Sequence, residues 1–134
     1  RKNKRGVTYW SSPLVIPGCV GFCPSEEAWK KTLKEFKISE DEEFPMTDGR
    51  TTSFKLNKPG IENFILITLN NLEDRTLIQI HGLLVHECVH AFDILCSWIG
   101  EKKPSKEFKA YYIQRLFMDM ACGFHLNYEV EEKV

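Results

Sequence analysis

The sequence has no long apolar run and almost no net charge. No uninterrupted apolar segment approaches the ~20 residues needed to span a bilayer, and the first residues lack the apolar stretch of a signal peptide. The 134 residues carry 18 Lys and Arg against 19 Asp and Glu, a formal net charge of −1. That balance lacks the basic surplus of a dedicated nucleic-acid binder. We therefore expect a soluble, cytoplasmic protein without a membrane or nucleic-acid partner.

Glycine and proline are not enriched either. With 8 Gly and 6 Pro, collagen-like and low-complexity chains are excluded, and 43% hydrophobic residues are typical of a folded domain. The length predicts one domain with its own core, preceded by a flexible lead-in over residues 1–13. The 5 cysteines are an odd number, and three lie in apolar, helix-like segments, which favours a reducing compartment over a disulfide framework.

Hydrophobic periodicity predicts three helices, over residues 26–36, 76–99 and 105–122. Ser25 is a predicted N-cap for the first helix, because two carboxylates follow it in the first turn. Gly100 provides a C-terminal stop for the second helix.

Three segments rich in β-forming residues predict strands. Residues 51–56 and 63–69 flank a turn and are predicted to pair as a hairpin. Residues 14–22 are interrupted by Pro17 and Gly18, which favours an edge strand or an extended loop. The predicted class is α+β, with a small sheet of two to four strands packed on the helices.

The second predicted helix contains an H-E-x-x-H motif, His86-Glu87-Cys88-Val89-His90. Residues four apart lie on one helix face, so both imidazoles can reach one metal ion while Glu87 projects beside it. Neutral imidazoles hold Zn²⁺ and leave a position for a water whose pKa the metal lowers. Glu87 would take the proton of this water as general base and pass it to a leaving amine. The competing interpretation is a pair of hydrogen-bonded core histidines.

A catalytic zinc of this kind needs a third protein ligand, and we predict Glu107. It follows His90 by 17 residues, which leaves room for the helix to end and for the next to return antiparallel. Asp93 is predicted to hold the second ring N–H of a ligand histidine, although it could itself be the third ligand. His125 is a further rival.

Tyrosines follow Glu107 on the last predicted helix. Tyr111, four residues later, would place its phenol on the same face and could donate to an oxyanion during hydrolysis. Tyr112 and His125 are alternatives for this role, and core packing is the competing interpretation for both tyrosine rings. His81 is predicted to lie off the metal face as a satisfied polar residue.

The motif and its surroundings resemble a known group of enzymes. The order of helix, strands, H-E-x-x-H helix and glutamate-bearing helix resembles the minimal zincin fold of the gluzincin type. HECVHAFDIL followed by KEFKAYYIQRLF, with GFCPSEEAWKK upstream, is similar to the small zincin-like metallopeptidases encoded by tailed phages and prophages. The resemblance covers roughly residues 19–122.

This resemblance implies a minimal zincin-like fold with His86, His90 and Glu107 as zinc ligands and Glu87 as the base. It also implies a protein or peptide substrate that pairs with an exposed strand edge. Either segment 51–56 or segment 14–22 could provide that edge. For a phage-encoded protein, the setting would be the cytoplasm of the bacterial host.

Two functions from different classes follow from these observations. The first is a zinc metallopeptidase that uses Glu87 as general base. The alternative is a catalytically inactive zincin-fold module that binds a protein partner. Hydrolysis of a non-peptide amide would use the same residues, and the sequence does not separate it from peptide hydrolysis or fix the oligomeric state.

Overall fold

Four strands and three helices make up the part of the chain that the computed structural model describes, residues 5–11, 18–39, 41–56 and 63–130. In chain order they are β1 (Tyr9–Trp10), β2 (Cys19–Phe22), α1 (Glu26–Glu35), β3 (Gly49–Phe54), β4 (Phe64–Leu69), α2 (Leu77–Trp98) and α3 (Lys106–Asn127). None of these helices is both long and apolar enough to cross a membrane. The α+β class is confirmed.

The strands form one mixed sheet in the order β1-β2-β4-β3. The inner strands β2 and β4 run parallel, whereas β1 and β3 pair antiparallel with their neighbours. Every residue of β4 is buried, as expected for a central strand covered on both faces. The predicted pairing of β3 with β4 is confirmed, and β3 is an edge strand. The residues 57–62 that connect them lie outside the described part.

Two sequence predictions about the first strands were wrong in part. The described end of segment 14–22 is β2, which is an inner strand because it pairs on both sides; residues 12–17 lie outside the described residues. The lead-in was predicted to be flexible, but Tyr9–Trp10 form β1. Gly6 N–H donates to Asn127 Oδ1 at 2.7 Å, so this segment is also tied to the end of α3.

The sheet separates two apolar clusters because successive residues of β4 point to opposite faces. Ile65, Ile67 and Leu69 join the larger cluster, which α2 and α3 cover. Phe64 and Leu66 join the smaller cluster, which α1 covers. The layers are therefore α1, the sheet, and the α2–α3 pair.

Hydroxyl side chains begin all three helices. Ser25 accepts from the backbone N–H of Ala28 and Ser105 from that of Phe108, and Thr76 forms a reciprocal capping box with Gln79. The predictions for α1 and α2 are confirmed within about one residue. The last helix continues to Asn127, five residues past its predicted end.

Candidate active site

The two histidines of the motif point outward from α2 and meet at their tips. His86 Nε2 and His90 Nε2 are 3.1 Å apart, and both side chains are exposed. Two nitrogens bonded to one zinc ion at ~2.0–2.1 Å, with a roughly tetrahedral angle, would lie about 3.1–3.4 Å apart. The spacing therefore fits a shared zinc ion, and it also fits a hydrogen bond between two neutral rings.

Glu87 points toward the sheet and is only 5% exposed. The hydroxyl of Thr51, on β3, lies 2.6 Å from Glu87 Oε1 and 3.0 Å from the Glu87 carbonyl oxygen. This hydroxyl has one proton to donate, and the shorter distance favours the carboxylate. The edge strand therefore fixes the orientation of the predicted base.

Gly49, the first residue of β3, leaves space for this carboxylate. A Cβ added at Gly49 would lie 2.9 Å from Glu87 Oε2, closer than a Cβ atom normally approaches another atom. In the sequence, Asp48-Gly49 is typical of a turn and gives no sign of a contact with Glu87. The role of Gly49 in the structure is to let the strand approach the motif helix at the position of Glu87.

The turn before β3 is held by polar contacts. Arg75 Nη2 lies 2.6 Å from Asp48 Oδ2, and Asn71 Nδ2 donates to Asp48 Oδ1 at 2.7 Å. Asn70 N–H donates to the carbonyl of Asp48 at 2.8 Å. These contacts anchor the turn to the segment that leads into α2, so strand and helix are fixed relative to each other.

An open groove follows the line where β3 meets α2. It consists of two cavities, of about 760 Å³ and about 560 Å³, which share Gly49, His86 and Glu87. The remaining lining residues of the larger cavity are Thr47, Asp48, Arg75, Gln79, Gly82 and Leu83. Those of the smaller cavity are Arg50, Thr51, His90, Asp93, Ile94 and Ser97. The histidine pair thus lies in an accessible groove beside a strand edge.

The structure does not bring the predicted third ligand into a metal-binding group with the histidines. Within residues 5–11, 18–39, 41–56 and 63–130, no group of three or more His, Cys, Asp or Glu side chains could hold a metal ion. Glu107 is exposed in the first turn of α3. It lies about 180° around the helix axis from Leu116, which is buried, so the two residues occupy opposite faces of the helix. Asp93 lines the groove but, among the described contacts, makes no hydrogen bond to either imidazole. The three-ligand set stays a prediction.

The candidate oxyanion donors are dispersed. The Tyr111 side chain is 69% exposed and does not line the groove described above. Tyr112 is 5% exposed and packs against Phe92 and Phe108, as the core-packing interpretation predicts. His125 lies within α3 and pairs with His81 instead of with the motif.

Comparisons of the chain with protein-family models, with curated proteins and with solved structures give no match. The functional interpretation therefore depends on the side chains themselves. Of the predicted site residues, the structure brings together His86, His90 and Glu87, and it adds Thr51 and Gly49.

Cys88 lies within the motif but does not provide a nucleophile. It is fully buried, and burial, with a contribution from the nearby Glu87 charge, raises the pKa of its thiol to about 12. A thiol with so high a pKa is not ionised at neutral pH. The Cys88 side chain packs in the larger apolar cluster.

Proposed function

We propose that this chain is a zinc-dependent peptidase that hydrolyses peptide bonds of an extended protein or peptide substrate. The observation that carries the proposal is the placement of the His86–His90 pair and the Glu87 carboxylate in one open groove. When bound, zinc supplies a Lewis acid that lowers the pKa of water and polarises a carbonyl. His86 and His90 would hold the ion through Nε2, and Glu107 is the predicted third ligand.

Glu87 moves the proton in this proposal. Its Oε1 accepts from Thr51, which leaves Oε2, beside Gly49, to take a proton from the attacking water and deliver it to the leaving amine. Thr51 is a positioning residue, because it acts through Glu87 and not on the substrate.

The outer edge of β3 supports a peptide as substrate. Backbone groups on an unpaired strand edge can hydrogen-bond an extended chain laid beside it, and such a chain would run along the groove past the two histidines. Because segment 14–22 contributes an inner strand, β3 is the edge that this proposal uses.

A specific observation also favours the second candidate, an inactive module that binds a protein partner. The described residues supply two zinc donors but no third within reach. Such a module would use the same strand edge and groove to grip its partner, and Glu87 would then serve only to hold α2 against β3. Turnover by the zinc-loaded protein separates the two functions.

The first expected result concerns metal content. Elemental analysis of protein purified without a His tag or chelators should find about one zinc per chain, lost in His86→Ala, because one imidazole does not retain the ion. We also expect Glu107→Ala to lose zinc. Glu101→Ala, which removes an exposed carboxylate away from the groove, should keep it.

The same analysis tests the ligand set. Zinc retained in Glu107→Ala but lost in His86→Ala would exclude Glu107 as the third ligand and leave the histidine pair intact. A folded wild-type protein that takes up no zinc when it is offered would contradict the metallopeptidase proposal.

A second expected result concerns Gly49. Gly49→Ala should lower hydrolysis of a peptide library by up to about 10²-fold, because a displacement of about 1 Å at a catalytic group can have that effect. Zinc content should not change, since Gly49 contacts Glu87 and not the imidazoles. Lys102→Ala is the control, because Lys102 is exposed and does not line the groove. Equal rates in the two variants would show that Gly49 does not position Glu87.

A further inference from the structure

A second pair of imidazoles joins the two long helices. His81 Nε2, on α2, lies 2.9 Å from His125 Nε2, on α3, and the ring planes are nearly perpendicular at 88°. The residues lie 44 positions apart in the sequence, so only the packing of α2 on α3 brings them together.

Aromatic neighbours orient both rings. Phe117 packs edge-on against His81, with ring centroids 5.4 Å apart, and Phe124 packs against His125 at 5.1 Å. Phe124 is fully buried, which limits the movement of the His125 ring. The two nitrogens therefore face each other in a defined geometry, near the surface of the protein.

We infer that His81 and His125 form a second metal site, which binds a divalent transition-metal ion between α2 and α3. Imidazole nitrogen is a suitable donor for nickel, copper and zinc. Two nitrogens 2.9 Å apart, each bonded at ~2.0–2.1 Å, would subtend an angle of about 90° at the ion. Neighbouring ligands at right angles occur in the square-planar and octahedral sites of Ni²⁺ and Cu²⁺. Water would complete the coordination shell.

The second site is separate from the groove. His81 precedes His86 by five residues, which places it about 140° around the helix axis. Neither His81 nor His125 lines the two cavities beside β3. Metal bound here would cross-link the start of the motif helix to the end of α3, and it does not depend on the proposed peptidase activity.

The composition of the chain allows a direct test with Ni²⁺. The sequence has 4 histidines, so a His86→Ala/His90→Ala variant keeps only the inferred pair. We add Cys122→Ser, because Cys122 is exposed on α3 and its thiol could bind the ion. Calorimetric titration should find one saturable Ni²⁺ per chain, and Ni²⁺ should raise the melting temperature because it binds the folded state.

Replacing His125 by Gln in this background should abolish both effects. Removing a residue that hydrogen-bonds a metal ligand typically lowers metal affinity by roughly 10- to 100-fold. Removing one of the two ligands themselves should lower the Ni²⁺ affinity by more than that. Because His125 is exposed, the substitution should leave the metal-free melting temperature nearly unchanged, and His81→Gln provides a second variant. No saturable binding in the parent variant, or binding that survives both substitutions, would overturn the inference.

Discussion

If the chain is a zinc peptidase, replacing Glu87 by Gln should lower peptide hydrolysis by about 10²–10⁴-fold, the usual contribution of a general base, and should leave the zinc content unchanged. Glutamine keeps the size of the side chain, and its carbonyl oxygen can still accept from Thr51, so the position of the group is preserved. The amide has no basic oxygen and does not take a proton from water. The measurement is kcat on a peptide substrate, with zinc determined on the same samples.

Glu101→Gln is the control for this substitution, because Glu101 is exposed and does not line the groove. Its rate should equal that of the wild type. Full hydrolysis in Glu87→Gln would remove Glu87 as the base. The binding module would be favoured if the zinc-loaded wild-type protein binds peptides without cleaving them. In that case the Glu87→Gln variant should bind the same peptides with equal affinity.

Replacing Phe64 by Ala destabilises the fold by ~3–5 kcal/mol, the usual cost of truncating a buried phenylalanine. Phe64 is fully buried in β4, and its ring stacks on Phe36 at 4.2 Å and on Phe54 at 4.7 Å. Trp10 meets it edge-on at 5.8 Å. Since a whole domain is stable by only ~5–15 kcal/mol, this one change removes a large part of the stability.

Urea unfolding followed by circular dichroism gives the free energy of unfolding for Phe64→Ala. Met46→Ala is the control, because Met46 is 72% exposed and surface changes usually stay within about 0.5 kcal/mol. A cost below about 1 kcal/mol for Phe64→Ala would contradict the described packing. Since Phe64 faces α1, the fraction that stays folded should still bind zinc.

The sequence predicted the helices well because their signals are local. The N-cap at Ser25 is recognised from the residues that follow it directly. The long helix after Thr76 is recognised from apolar residues three and four positions apart. The same holds for the shared helix face of His86 and His90, which follows from a spacing of four. These features needed no knowledge of the rest of the fold.

Features that depend on distant contacts were missed. The four residues of β2 are compatible with an edge strand and with an inner strand, so they do not show which one they form. The parallel partner of β2 is β4, which lies about 45 residues later in the chain. The end of α3 was missed for a related reason. Gly123 follows the predicted end of the helix, but a Cβ there would lie 2.8 Å from Tyr9 Cβ, so this glycine permits close packing on β1.

The candidate site divides in the same way. The motif itself could be predicted, whereas Thr51 and Gly49 reach Glu87 only through the docking of a strand more than thirty residues earlier in the chain. The prediction of Glu107 rests on chain spacing and on the resemblance to gluzincins, and neither fixes the face of a helix that a residue occupies.

The contact between Thr51 and Glu87 bears on how the groove forms during folding. The two residues lie 36 positions apart in the sequence, and closing a loop of that length costs chain entropy, so this contact forms slowly compared with a helix. We therefore expect the motif turn of α2 to become helical while Glu87 is still in water. The carboxylate would be enclosed only when β3 docks on α2, so the groove forms after the helix that carries the two histidines.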